Sequence, residues 1–397
     1  MDFKKIQEEF LEIYYELAYG FQSKYQQYNR NRNNQEDGGL NKQTECFQRK
    51  YVRNDYLVHA LNRFVAFAVR CNMLDDEGKI IAPNNETDAI ENWFNLVVGE
   101  WLTKWHGDLS SALSIYSELD PLINYSDGIF IPTTACEEYA GECLRYNQDS
   151  EQLRLFKLIY GLSQKGYVYC RKFFILHKVA STIELLEFRE KLSDMGVEYS
   201  LIEKIVEAAY EYIPNDCLYE CKCGWTVSRN EQEIYTCIHE RCRKETNNFT
   251  NLKLLKDKVM MKRLRRGVMR YLALPGELEI KIEKYCDKKE GLIVELWPEK
   301  DTYDIKVSLP NKKEYIIDAK DYSSPFALGQ HLLKDNKLIW QKNESNQVFI
   351  VVPDEVEDLK KDFTLVVNKI IAEEYGSIKC ITFRELTTLL EKELANE

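Results

Sequence analysis

The chain has 397 residues and a formal net charge of −11, with 54 Lys and Arg against 65 Asp and Glu. At 44% hydrophobic and 30% charged residues it is too apolar for a disordered chain, and its length suggests two or three globular domains. No run of about 18 uncharged apolar residues is present to span a bilayer.

The start "MDFKKIQEEFLEIYYEL" is an amphipathic helix carrying acids, expected to be neither a signal nor a transit peptide. Twelve cysteines without a secretion signal point to a reducing cytoplasm, where clustered thiols more often bind metal than pair. From Phe3 to about Tyr212 apolar residues recur at i, i+3, i+4 and i+7. This predicts helices over 57–74, 89–105 and 185–213. The polar stretch 25–45 reads as a long loop. Residues 1–212 are thus expected to be a helical domain whose many Tyr and Trp fill its core. Their role is not legible.

Next comes "CLYECKCGWTVSRNEQEIYTCIHERCRKE" (217–245). Cys221 and Cys223 form a C-x-C turn followed by Gly224, which can supply the positive φ of a metal knuckle. Cys237 and Cys242 form a second close pair. Two thiolate pairs at this spacing suit a closed, structural, tetrahedral Zn²⁺ site with Zn–S bonds of about 2.3 Å. The C-x-C half is tight, so Cys217 or His239 stands as an alternate ligand. Residues 213–250 are expected to be a zinc-binding knuckle.

The segment 253–270 holds eight basic residues and one acid in an otherwise acidic chain. Lys258, Lys262, Arg266 and Arg270 recur every four residues, with Arg263 and Arg265 nearby. This predicts a helix with one basic face and a buried stripe of Met261, Leu264, Val268 and Leu272. A like-charged stripe is stabilised by an anion, and the phosphate backbone of nucleic acid is the commonest such partner. A solvated face or an acidic protein partner is the alternative.

The remaining chain, 251–397, reads α-β-β-β-α-β after this basic leading helix. The elements are a helix over 277–289, a strand over 291–298, a hairpin of 302–309 and 314–322 around Pro310-Asn311, a helix over 324–335 and a strand over 346–353. The strand period of two puts Asp318 and Lys320 on one face and Ile317 and Ala319 on the other. Asp304, on the neighbouring strand, can reach the same spot, and Glu279 is the helical glutamate expected to turn inward. Two carboxylates about 3–5 Å apart raise each other's pKa unless a cation lies between them. Mg²⁺ or Mn²⁺ suits such oxygen ligands together with a substrate phosphate. A lysine on the same face can orient the attacking water and stabilise the charged transition state.

Glu279, Asp304 and Asp318-Ala319-Lys320 resemble the signature of the PD-(D/E)xK nuclease superfamily, with Tyr303 where proline is usual and Asp in place of Glu in the third motif. The cysteine group, "RLRRGVMRYLALPGELE", "LWPEKDTYDIKVSL" and "YIIDAKDYSSPFAL" are similar to the restriction-endonuclease-related proteins of prokaryotic PIWI-RE three-gene islands. The resemblance implies an α+β protein. Its parts would be a helical N-terminal region, a small zinc-ribbon-like insert and a C-terminal α/β restriction-endonuclease-like core with a mixed central sheet. It also implies Mg²⁺-dependent cleavage of nucleic acid, DNA above all, in a prokaryotic defence system with PIWI-like and helicase partners. No membrane partner is implied, and oligomerisation stays open. A catalytically inactive nuclease fold that binds nucleic acid or scaffolds such a complex is the alternative.

Overall fold

The computed structural model describes residues 3–33, 54–75, 77–105, 108–126, 129–141, 151–214, 217–229, 235–237, 242, 252–256, 260–334 and 347–395. The chain divides into two compact units, Met1–Gln148 and Asp149–Glu397. The border thus lies well before residue 212. Leu155, Phe174, Phe188 and Ile205 share one buried core with Ile282, Ile305 and Ile317, so helices expected to belong to the N-terminal domain form part of the C-terminal unit.

The first unit is built on helices Phe3–Asn33 and Asp55–Arg70. Residues 25–33, expected as loop, continue the first helix, and the rest of the expected loop, 34–45, lies outside the described residues. Asn54 caps the second helix by accepting from the Leu57 amide at 3.0 Å. The expected helix over 89–105 is two short ones, Glu86–Asn92 and Val98–Leu102, because the backbone at Trp93 and Val97 leaves the helical region. The aromatics do fill the core. Phe64 lies 5.7 Å and Phe10 6.0 Å from the buried Trp101 ring, distances at which ring edges meet faces.

The second unit opens with helices Glu151–Tyr160 and Gln164–Leu176. The expected helix 185–213 is a pair, Thr182–Asp194 and Tyr199–Ala209, broken where Gly196 adopts a φ of 79°. A Ser181–Glu184 capping box starts the first of the pair.

The basic segment is not one helix. Met261–Leu264 is the central strand of a three-stranded sheet, antiparallel to both Val179–Ser181 and Tyr210–Tyr212. Only after it does the chain coil, through Arg266–Val268, a wide turn at Met269–Ala273 and helix Leu274–Cys286. Proline and glycine therefore sit inside the first turn of the Glu279 helix rather than ahead of it. Of the expected basic face, Lys258 lies outside the described residues, and Lys262 lies over the Tyr212 ring at 4.8 Å. Arg263 is committed to structure. It pairs with Glu211 at 2.7 Å, donates to Thr226 Oγ1 at 2.8 Å and stacks 4.6 Å from the Trp225 ring. Arg265 Nε donates to the Glu207 carbonyl at 3.0 Å. Strand pairing overrides the four-residue spacing because both neighbours of this short strand offer free ladder positions. The expected buried stripe survives in Leu264, Val268 and Leu272.

The C-terminal core is a five-stranded sheet in sequence order: Ile293–Leu296, Ile305–Ser308, Glu314–Ala319, Gln347–Val352 and Lys379–Thr382. The first three are antiparallel and the last two join in parallel, each through a crossover helix, Pro325–Lys334 and Phe363–Tyr375. The order of elements and the mixed sheet match the sequence reading. Tyr315, Ile317, Phe349 and Val351 pack with Leu278 and Ile282 of the Glu279 helix. Ile316, Val348 and Ile350 pack with Leu328 and Val367 of the crossover helices on the other face.

Arg263→Ala leaves Glu211 and Thr226 without their donor and uncovers Trp225. A loss of about 2–3 kcal/mol in unfolding free energy is expected by denaturant titration. An unchanged midpoint would contradict the structural role given to this arginine.

Candidate active site

Asp304 directly precedes strand Ile305–Ser308, and Asp318 is the penultimate residue of strand Glu314–Ala319. Ile305 stands opposite Ile317 in antiparallel register, so one step further along the same register brings Asp304 to Asp318. Asp304 Oδ2 accepts from the Ala319 amide at 2.8 Å, which ties one acid to the strand that carries the other. The Lys320 amide donates to the Val351 carbonyl at 2.9 Å, extending the parallel ladder past the strand end. Its Nζ donates to Asp318 Oδ1 at 2.7 Å. The Asp318 and Lys320 side chains keep 11% and 19% exposure, so this corner is partly open. Burial, and then the neighbouring Asp318 carboxylate, push Asp304 up to about 7.

Glu279 turns inward and is almost fully buried. Arg171 Nη2 donates to its two oxygens at 2.9 and 3.1 Å, and Trp297 Nε1 donates to Oε2 at 2.6 Å. Burial raises Glu279 to about 8; Arg171 opposes the shift, while Asp304 and Asp301 add to it. Arg171 also pairs with Asp301. Burial works against the guanidinium charge, yet Asp301 and Glu279 outweigh it and hold its pKa above the ordinary value. The helix carrying Arg171 can come this close because residue 276 is glycine. A Cβ there would lie 2.3 Å from Ile175 Cδ1.

The carboxylates therefore form a close pair, Asp304 and Asp318 with Lys320, and a neighbouring ion cluster centred on Arg171. Sequence reasoning missed Arg171, Trp297, Asp301 and Gln164. One signal was available: Tyr167, Arg171 and Phe174 lie on one buried stripe of helix Gln164–Leu176, an unusual place for an arginine without an acidic partner.

The turn between strands Ile293–Leu296 and Ile305–Ser308 is strained. Trp297, Glu299, Lys300 and Asp301 hold φ of 47°, 52°, 55° and 77°, at about 1–3 kcal/mol per non-glycine residue. Gln164 brackets it, donating to the Trp297 carbonyl at 2.7 Å and accepting from the Lys300 amide at 2.8 Å.

The second site is the cysteine group. Cys221, Cys223, Cys237 and Cys242 are buried and bring their Sγ atoms within 4.8 Å of one another, the only such gathering of three or more ligand atoms among the described residues. The Cys223 and Cys237 sulfurs are 3.5 Å apart, near the edge of about 3.8 Å of a tetrahedron with Zn–S bonds of about 2.3 Å. Gly224 at φ 80° closes the turn. Cys217 stands outside the group, its Sγ accepting from Arg263 Nη1 at 3.4 Å, and His239 lies outside the described residues. Lys178, largely buried, donates to the Cys223 carbonyl at 2.7 Å and pairs with Glu277, two residues before Glu279.

Residues 276–397 match the family model described as "REase associating with pPIWI_RE". Over these residues the C-terminal part of the chain is similar to that restriction-endonuclease-related family. The match contains Glu279, Asp304, Asp318 and Lys320, and leaves Arg171 and the cysteine group outside. Comparison with the curated proteins and with the solved structures gave no match. No helix among the described residues is long and apolar enough to cross a membrane.

Proposed function

We propose that the restriction-endonuclease-related domain hydrolyses phosphodiester bonds of nucleic acid, DNA above all, with Mg²⁺ or Mn²⁺ held by Asp304 and Asp318. The observation that carries this reading is the pair itself. Two carboxylates face each other across adjacent strands, at one end of the second and third strands of the sheet, one pushed up to about 7 by burial and its neighbour, with a lysine hydrogen-bonded to the other. A cation relieves that repulsion, and all-oxygen donors select a hard one. When bound, such a metal polarises a phosphoryl oxygen and acidifies coordinated water.

The protein's own groups supply the rest. The Ala319 amide fixes the orientation of Asp304, so the pair is set before substrate arrives. Lys320 is placed to orient the attacking water and to balance negative charge as the phosphorus gains its fifth oxygen. Glu279 supports the pair from the Arg171 cluster. Lys262, Arg265, Arg266 and Arg270 are the residues of the basic segment we assign to phosphate contacts, with Arg263 assigned to structure. The family description supports a PIWI-like partner. A helicase partner and a role in a prokaryotic defence system follow from the resemblance alone.

Zn²⁺ is the structural ion we assign to Cys221, Cys223, Cys237 and Cys242. Elemental analysis of purified protein is expected to give about one zinc per chain, and Cys223→Ser to lose it. Zinc retained in full by that variant would point to another ligand set.

For the catalytic pair, Asp318→Ala is expected to reduce cleavage of labelled DNA by about 10³-fold or more while leaving DNA affinity within a few fold. Lys320→Ala should lose turnover while still binding Mn²⁺. The exposed Glu295→Gln is the control and should cleave normally. Equal cleavage by Asp318→Ala and Glu295→Gln would place the chemistry elsewhere.

A further inference from the structure

The turn from Trp297 to Asp301 leads into Asp304, and four of its five residues hold positive φ although none of the four is glycine. Such a turn persists only where its surroundings over-determine it. Those surroundings come from the helices that precede the family-matched residues. Gln164 brackets the turn's backbone on both sides, through the Trp297 carbonyl and the Lys300 amide. Arg171 grips its far end through Asp301 and lies 4.5 Å over the Trp297 ring. The Tyr160 carbonyl accepts from Lys300 Nζ at 3.2 Å. The turn closes on itself where the Trp297 amide donates to the Asp304 carbonyl at 2.8 Å, so its conformation sets where the Asp304 backbone lies.

We propose that Arg171, with Gln164, is a positioning residue for the metal site: it holds the Trp297–Asp301 turn in the shape that sets Asp304 opposite Asp318 and keeps Glu279 beside the pair. The inference rests on the metal-dependent reading of Asp304 and Asp318. It makes helix Gln164–Leu176 part of the functional centre, so residues 276–397 alone lack the groups that shape it. The fork geometry is what matters. An arginine spans Asp301 and Glu279 with two different nitrogens, whereas a lysine offers one compact charge that can satisfy only one side well.

The test is Mn²⁺ binding by the full, zinc-loaded chain, followed by electron paramagnetic resonance, a readout independent of cleavage. Arg171→Lys is expected to weaken Mn²⁺ binding about 10- to 100-fold, the usual effect of losing a group that orients a ligand. Gln164→Ala should weaken it less, and Asp318→Ala should abolish it. In Arg171→Lys, trypsin should also cut after Lys300 faster than in the parent, and saturating Mn²⁺ should restore protection. A purely structural arginine gives no such rescue. Should Arg171→Lys fail to fold, Gln164→Ala carries the same test with the ion cluster intact. Parent-like Mn²⁺ affinity in Arg171→Lys and Gln164→Ala, beside lost binding in Asp318→Ala, overturns the positioning role and leaves the metal pair standing. Parent-like affinity in Asp318→Ala overturns the metal pair and the positioning role with it.

Discussion

A guanidinium with almost no access to water sits between two carboxylates, and the arrangement around Asp304 depends on it. An isolated buried charge costs several kcal/mol, and removing one partner from a buried pair costs about 3–5 kcal/mol, because the other charge is left uncompensated. Arg171, Glu279 and Asp301 therefore stand or fall together. They come from three separate stretches of chain: a helix, the helix after the basic strand, and the turn between the first two strands of the sheet. Joining them fixes the angle of the Glu279 helix and the path of the turn at once. Gly276 admits the close approach, and the Trp297 indole supplies the remaining donor to Glu279.

A buried lysine links the cysteine turn to the helix that carries Glu279. Lys178 reaches the carbonyl of Cys223 within the cysteine turn and the carboxylate of Glu277 on the Glu279 helix. Burial pulls the Lys178 pKa down, while the charges of Cys223, Cys242, Cys237 and Glu220 oppose the shift. The three-stranded sheet adds a second tie. Its central strand Met261–Leu264 lies between strands that flank the helix pair 182–209, and the Trp225 indole donates to the Leu264 carbonyl at 3.1 Å. The cysteine group thus braces the start of the helix that carries Glu279.

Much of the sheet was legible because its signals are local. Alternation in "YIIDAK" put Asp318 on the face opposite Ile317, and the core built from Tyr315, Ile317 and Val351 agrees. The paired cysteines were equally local, and their four sulfurs gather. The basic segment misled because a four-residue spacing of cations is also compatible with a short strand followed by a coil. Which of the two forms was decided by Val179–Ser181 and Tyr210–Tyr212, some 80 and 50 residues distant. Of the Arg171 cluster only the arginine, on an apolar helical stripe, left a signal, and its partners left none for the same reason. Its partners lie more than 100 residues away along the chain, and no spacing rule links them.

The central claim is that Asp304 and Asp318 hold a divalent metal. Crystals of the zinc-loaded protein grown with Mn²⁺, with data collected on either side of the manganese absorption edge, test it most directly. The account predicts an anomalous peak present above the edge energy and lost below it, within bonding distance of oxygens of both Asp304 and Asp318, with zinc at the four cysteines. Full occupancy of the cysteine site with no manganese between the two aspartates, at Mn²⁺ concentrations that support cleavage, would contradict it.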